Sequence, residues 1–232
     1  MTGFSQRLDD VNARIQRACE DSGRDPAGIR LLAVSKRHSL AAVQAAIAAG
    51  QLEFGENFVQ EAIPKIEATA ETEARWHFIG HLQSNKTALA ATHFDWVHTV
   101  DRLKIARRLS DQRSFHAPPL QVCIQVRLGD EGSKSGAEPA AVGELAAAVA
   151  ELPRITLRGL MTIPPPSDDP AVQRGYFRTL RELQETLVAG GMTLDTLSMG
   201  MSGDLEAAIA EGATLVRVGT ALFGPRPAAR TG

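Results

Sequence analysis

Cysteine is nearly absent. The 232 residues hold two, Cys19 and Cys123, too few for a disulfide framework or a metal-ligand cluster, so both are read as neutral thiols of a reduced interior and no metal site is expected. Tyrosine occurs once, as Tyr176, and aromatic residues make up only 5% of the chain. No apolar run reaches the ~18–20 residues that a membrane-spanning helix needs. Charge is close to balanced, at −2, so no broad basic field draws in nucleic acid or an anionic membrane surface. A single phosphate site stays open, because it needs only a few local donors. The N-terminus lacks the apolar core of a signal peptide. It reads instead as an amphipathic helix, about 4–21, with Phe4, Leu8, Val11 and Ile15 on one face. A cytoplasmic location is the expectation.

What the chain has is alternation. Eight short apolar runs are strand candidates: LLAVSK (31–36), LEF (52–54), WHFIG (76–80), DWVHTV (95–100), LQVCIQV (120–126), ITLRGLMT (155–162), LDTLSMG (194–200) and TLVRVG (214–219). Helical patterns separate nearly all of them. Ser39 is a natural N-cap for the helix that Gly50 closes, and others are expected from about Phe58, Asn85 and Asp101, over about 138–151 and 170–189, and from about Gly203. Pro64 should either kink its helix or bound the first turn. Strands alternating with helices imply a parallel sheet, and eight units imply closure into a (β/α)8 barrel. An open doubly wound sheet is the alternative, but no GxGxxG turn follows the first strand. No linker divides the chain, so 1–232 reads as one domain, with the barrel over about 30–225.

In such a barrel the chemistry gathers at the C-terminal ends of the strands. Lys36 ends the first run and Asn57 follows the second. His81, Gln83, Ser84 and Asn85 follow WHFIG, and Ser133, Lys134 and Ser135 follow LQVCIQV. Met161 and Thr162 end the sixth run, Ser198 to Ser202 the seventh, and Arg217, Gly219 and Thr220 the eighth. SMGMSGD and RVGTALFG offer hydroxyls and backbone N–H groups after strands seven and eight, where barrels commonly bind phosphate. A lysine in a desolvated pocket can attack a carbonyl as the neutral amine. A phosphorylated aldehyde satisfies both halves of that site: pyridoxal 5′-phosphate (PLP), or a sugar phosphate of the aldolase kind. Arg217 discriminates, because a permanent cation beside a pyridine nitrogen keeps that nitrogen unprotonated.

LLAVSK, FGEN, WHFIGHLQSNK, HTVDR, GSKSG, LRGLMTIP and LSMGMSGDLEAAIAEGATLVRVGTALFG together resemble the pyridoxal-phosphate homeostasis protein family, over about residues 30–225. The resemblance implies a single-domain barrel similar to the N-terminal domain of alanine racemase, the fold-type III group of PLP proteins. It also implies PLP bound without robust catalysis, and a role in vitamin B6 and amino-acid homeostasis. Lys36 matches the lysine of the internal aldimine and Asn57 the position beside the cofactor ring. Ser198 and Met199 match cofactor contacts, Ser202, Gly219 and Thr220 the phosphate cradle, and Arg217 the arginine facing the pyridine nitrogen. Lys86, Lys134 and Met161 are candidates for secondary contacts. His81 departs from the pattern, standing where a proline or small residue is expected.

No catalytic residue is assigned. A racemase needs a second acid/base on the ring face opposite the lysine, and alanine racemase takes a tyrosine from an added β domain. Here the only tyrosine, Tyr176, belongs to the helix after PPPSDDP. The reading is therefore a PLP carrier that supplies apo forms of PLP-dependent enzymes, expected as a monomer. A weakly active racemase-type enzyme and a Schiff-base aldolase are the alternatives.

Overall fold

The structure, a computed structural model, describes residues 3–129 and 135–225. Eight parallel strands close into a barrel in sequence order: β1 (Arg30–Val34), β2 (Glu53–Glu56), β3 (Arg75–Phe78), β4 (Trp96–Val100), β5 (Leu120–Gln125), β6 (Ile155–Met161), β7 (Thr196–Ser198) and β8 (Leu215–Val218). The barrel shuts where β8 pairs with β1, in the register Arg30 with Leu215 through Ala33 with Val218. Around it run α1 (Phe4–Ser22), α2 (Leu40–Ala48), α3 (Val59–Ala68), α4 (Thr87–His93), α5 (Leu103–Gln112), α6 (Val142–Ala150), α7 (Pro170–Ala189), α8 (Leu205–Ala210) and α9 (Thr220–Phe223). No helix among the described residues is long and apolar enough to cross a membrane.

Each expected strand forms, and so does each expected helix. Ser39 Oγ accepts from Ala42 N, as an N-cap should. Pro64 sits inside α3, past its first turn. The expected helix from Gly203 starts two residues later, at Leu205. One short helix has no sequence signal: α9, which follows the glycine turn after β8.

Strand periodicity divides the buried side chains into two sets. The larger packs strands against helices and includes Phe54, Val97, Val122, Leu160, Met199 and Val218. Leu32, Val34, Ile79 and Leu215 form a separate cluster, as do Trp96, Cys123 and Met161. These smaller clusters fill the barrel together with His77, His98, Ser198 and Arg217, all at most 3% exposed. Room inside is tight. A Cβ on Gly55 would meet Leu32 and Ile79 side chains at 3.0 and 3.1 Å.

Gly80, just beyond β3, lets two strand-end loops touch. A Cβ there would lie 2.1 Å from the carbonyl oxygen of Asn57, and Thr99 Oγ1 ties down the Gly80 carbonyl at 2.7 Å. Backbone at both sides leaves nothing flexible to yield. Gly80→Ala is therefore expected to lose about 2–4 kcal/mol in urea unfolding, an overpacking penalty that a surface glycine such as Gly143, with nothing within 4 Å, will not show.

Candidate functional site

A cavity of about 260 Å³ opens among the C-terminal strand ends, lined by Lys36, His38, Asn57, Ser202, Arg217 and Thr220, with Gly203 and Gly219 beside them. Residues from four separate strand ends thus converge. Six expected positions, Lys36, Asn57, Ser202, Arg217, Gly219 and Thr220, meet there.

Contrary to expectation, Lys36 lies beyond the end of the first strand. β1 stops at Val34, and Arg37 takes a left-handed φ of 63°, which turns the chain at the lysine. A side chain other than glycine in that region costs about 1 kcal/mol or more, so something must hold it. Arg37 N donates to Glu61 Oε1. Behind the turn lies a buried ion-pair cluster that the sequence reading missed. Lys65 Nζ donates to Glu56 Oε1 at 2.8 Å, Ser35 O at 3.1 Å and Glu61 Oε1 at 3.2 Å, while Ser35 Oγ donates to Glu56 Oε1 at 2.7 Å. Glu56 is fully buried. Its pKa is raised by burial, with Lys65 opposing. Ser35 precedes Lys36 and Glu56 precedes Asn57, so one lysine fixes the ends of β1 and β2. The signal in the sequence was an acidic residue closing a buried strand.

Arg217 is the other fixed point. It is 3% exposed, and burial, opposed by Asp204, brings its pKa down to about 10, so it remains a cation at neutral pH. Its Nη1 donates to Ser198 O at 2.6 Å and Ser198 Oγ at 2.9 Å, and its Nη2 to Thr162 O at 2.8 Å. Ser198 therefore contacts Arg217 and does not line the cavity. Met199, one residue on, points to the opposite side of β7 and packs in the strand–helix core. Met161 is buried with Trp96 and Cys123 in the barrel interior, away from the cavity lining. Burial pushes the Cys123 thiol up to about 12, which leaves it inert at neutral pH.

The donors suit an anion. Among the described residues, the hydroxyls of Ser202 and Thr220 and the backbone N–H groups of Ser202 and Gly203 make no hydrogen bond. Asn57 Oδ1 is buried without a partner. Lys86 lies apart, in an adjoining groove with Phe58, His81, Gln83 and Leu82 that meets the cavity at Asn57. Ser135 Oγ and His81 Nδ1 are hydrogen-bonded at 2.9 Å. Ser133 and Lys134 lie outside the described residues.

The sequence model of the family described as "Alanine racemase, N-terminal domain" matches residues 7–227. The "Pyridoxal phosphate homeostasis protein" of Pseudomonas aeruginosa is 55% identical over 226 residues, covering 97% of each chain. The protein of that name from Escherichia coli K12 is 52% identical over 229 residues, 97% of this chain and 98% of that one. PipY of Synechococcus elongatus, solved with PLP bound, is 38% identical with a TM-score of 0.84, over 95% of this chain and all of PipY. Alanine racemase of Clostridium difficile shares the fold at 14% identity, with a TM-score of 0.74 over 98% of this chain and 58% of the racemase.

Two measurements probe the buried groups. Lys65→Met strands the Glu56 carboxylate and is expected to cost about 3 kcal/mol in urea unfolding, part of which Glu56→Gln restores. The second concerns His77 and His98, both fully buried with pKa values well below 6.5; burial is the main cause, with His98, Arg30 and Arg75 adding for His77 and Arg217 and Arg30 for His98. Below about pH 6.5 the unfolded chain takes up protons that the folded chain refuses, so stability present above that pH is lost as pH falls. Between pH 7 and 5.5 each histidine should contribute about 1 kcal/mol of loss, and His77→Phe should remove its share.

Proposed function

This chain belongs to the alanine racemase N-terminal domain family and, within it, to the pyridoxal phosphate homeostasis proteins, and on that premise we propose that it binds PLP at the barrel mouth and holds it for cofactor homeostasis, with Lys36 as covalent anchor. One observation carries the assignment of the site: a single cavity joins a lysine, a buried arginine and uncommitted hydroxyl and N–H donors. PLP has three features to be met, an aldehyde, a ring nitrogen and a phosphate, and the residues present fit all three.

When bound, PLP supplies an aldehyde carbon that an amine can hold covalently. Lys36 is that amine, on a turn stiffened by Glu61 and Lys65. Arg217 offers only donors, so it leaves the ring nitrogen without a proton of its own. Ser202, Gly203, Gly219 and Thr220 would hold the phosphate, and the orphaned Asn57 oxygen would be available to the ring. An arginine partner weakens the ring as an electron sink, which favours holding over turnover. Tyr176 stands on α7 and is not among the cavity-lining residues, so it does not serve as the second acid/base of a racemase. Lys86 in the adjoining groove, and Lys134, are secondary ligands in this reading. The monomer passes PLP to apo PLP-dependent enzymes.

Protein mixed with PLP is expected to turn yellow, and borohydride reduction followed by peptide mapping should place the pyridoxyl label on Lys36. Lys36→Ala should stay colourless and unlabelled at that position. A wild-type protein that gains no absorbance band overturns the reading. Amino acids incubated with the loaded protein in heavy water should retain their α-hydrogens; exchange would move the assignment to a racemase-type enzyme.

A further inference from the structure

We propose that His98, with His77 behind it, is a positioning residue for Arg217, and that the pair fixes the direction of every proton in a buried chain from Arg217 to His77. The proposal rests on the cavity being the PLP site.

The links are short and enclosed. Arg217 Nη1 lies 2.9 Å from Ser198 Oγ, Ser198 Oγ 2.8 Å from His98 Nδ1, and His98 Nε2 2.9 Å from His77 Nδ1. His77 Nε2 lies 3.5 Å from Glu53 Oε2 without a hydrogen bond, so the bonded chain ends at His77. His77, His98 and Ser198 have no exposed surface. His77 also stacks on Trp96, with centroids 5.3 Å apart and planes at 11°. The charged groups that bear on the pair are Arg217, Arg30, Arg75 and Glu53.

Chemistry permits one proton order. An arginine can only donate, so Ser198 Oγ must accept from it. The serine proton then needs an acceptor, and His98 Nδ1 is the only other partner of that oxygen among the described residues. Had His98 carried its proton on Nδ1, the serine proton would be buried without a partner, at a cost of about 1–3 kcal/mol. His98 is therefore protonated on Nε2 and donates to His77 Nδ1. That puts the His77 proton on Nε2, facing Glu53. Every donor points from the cofactor cavity toward the N-terminal face.

The consequence falls on the guanidinium. Three of its five N–H groups are committed to Thr162 and Ser198. The remaining ones are left for the cavity that Arg217 lines. While His98 holds the serine proton, the serine lone pair is turned to Arg217. Remove that acceptor and the hydroxyl turns away, so Arg217 loses one of its three anchors and its aim at the ring.

Two variants separate positioning from packing. His98→Phe keeps the ring volume and removes both nitrogens; His98→Asn can return an acceptor near Nδ1. His98→Phe is expected to weaken PLP binding about ten-fold, the equivalent of one hydrogen bond, and to shift the absorption maximum of the bound cofactor, while borohydride still labels Lys36. His98→Asn should bind within about two-fold of wild type. Unchanged affinity and spectrum in His98→Phe, or equal losses in both variants, overturns the positioning role. In the ligand-free protein, ¹⁵N NMR at pH 7 should find Nε2 protonated and Nδ1 bare in both histidines; a proton on His98 Nδ1 overturns the chain. A wild type that binds no PLP defeats the cofactor reading, whereas the NMR result still decides the proton order.

Discussion

A permanent cation inside a parallel barrel is the constraint from which most of this interior follows. Arg217 occupies a strand position where a (β/α)8 barrel ordinarily stacks branched aliphatic side chains. Taking a guanidinium out of water is costly unless its N–H groups find oxygen. β6 and β7 supply it, through the carbonyls of Thr162 and Ser198 and the Ser198 hydroxyl. That hydroxyl calls for an acceptor in β4, and the acceptor calls for another in β3. The apolar filling is split into two small clusters by this polar string. The cavity exists because Arg217 reaches its edge from within and Lys36 from the adjoining strand.

A second buried charge does for β1 and β2 what Arg217 does for β6 to β8. Lys65 reaches in from α3 and binds the backbone of Ser35 and the carboxylate of Glu56. Neither contact touches the cavity. Their effect is to set where Lys36 and Asn57 begin, so that a long flexible amine starts from a rigid base. Arg37 in its left-handed conformation shows that the turn is imposed by its surroundings. Lys36 thus starts from a backbone held on both sides, by Glu61 at Arg37 and by Lys65 at Ser35.

The alternation of apolar runs with helical patterns made the barrel legible, because strands buried on both faces read as unbroken apolar stretches. Strand ends made Lys36, Asn57, Ser202, Arg217, Gly219 and Thr220 legible as a group. Of the expected residues outside the cavity lining, Met199 is off by one step of strand period. Ser198 faces inward, so Met199 next to it must face the helices. Met161 does face inward, but lies with Trp96 below the cavity. His77 and His98 went unread because each sits inside an apolar run, in WHF and VHT, and looks there like an ordinary strand residue. Their pairing is visible only once β3 and β4 are aligned, His77 beside Trp96. Lys65 was hidden for a similar reason: a lysine in an amphipathic helix reads as solvated until the strand it faces is known to end in Glu56.

The pairing of β1 with β8 carries a consequence for the order of events in folding. It joins Ala33 to Val218, residues near opposite ends of the chain, whereas every other strand pairs with its neighbour in sequence. Contacts of such long range form slowly, since the loop entropy must be met before the contact rewards it. Residues from both sides of this seam line the cavity, Lys36 on one side and Arg217 and Thr220 on the other. A chain with its seven consecutive strand pairings formed and the seam still open thus has its binding site divided between the two edges. The cavity is complete only when the seam is shut, so a ligand bound there selects molecules whose barrel has closed.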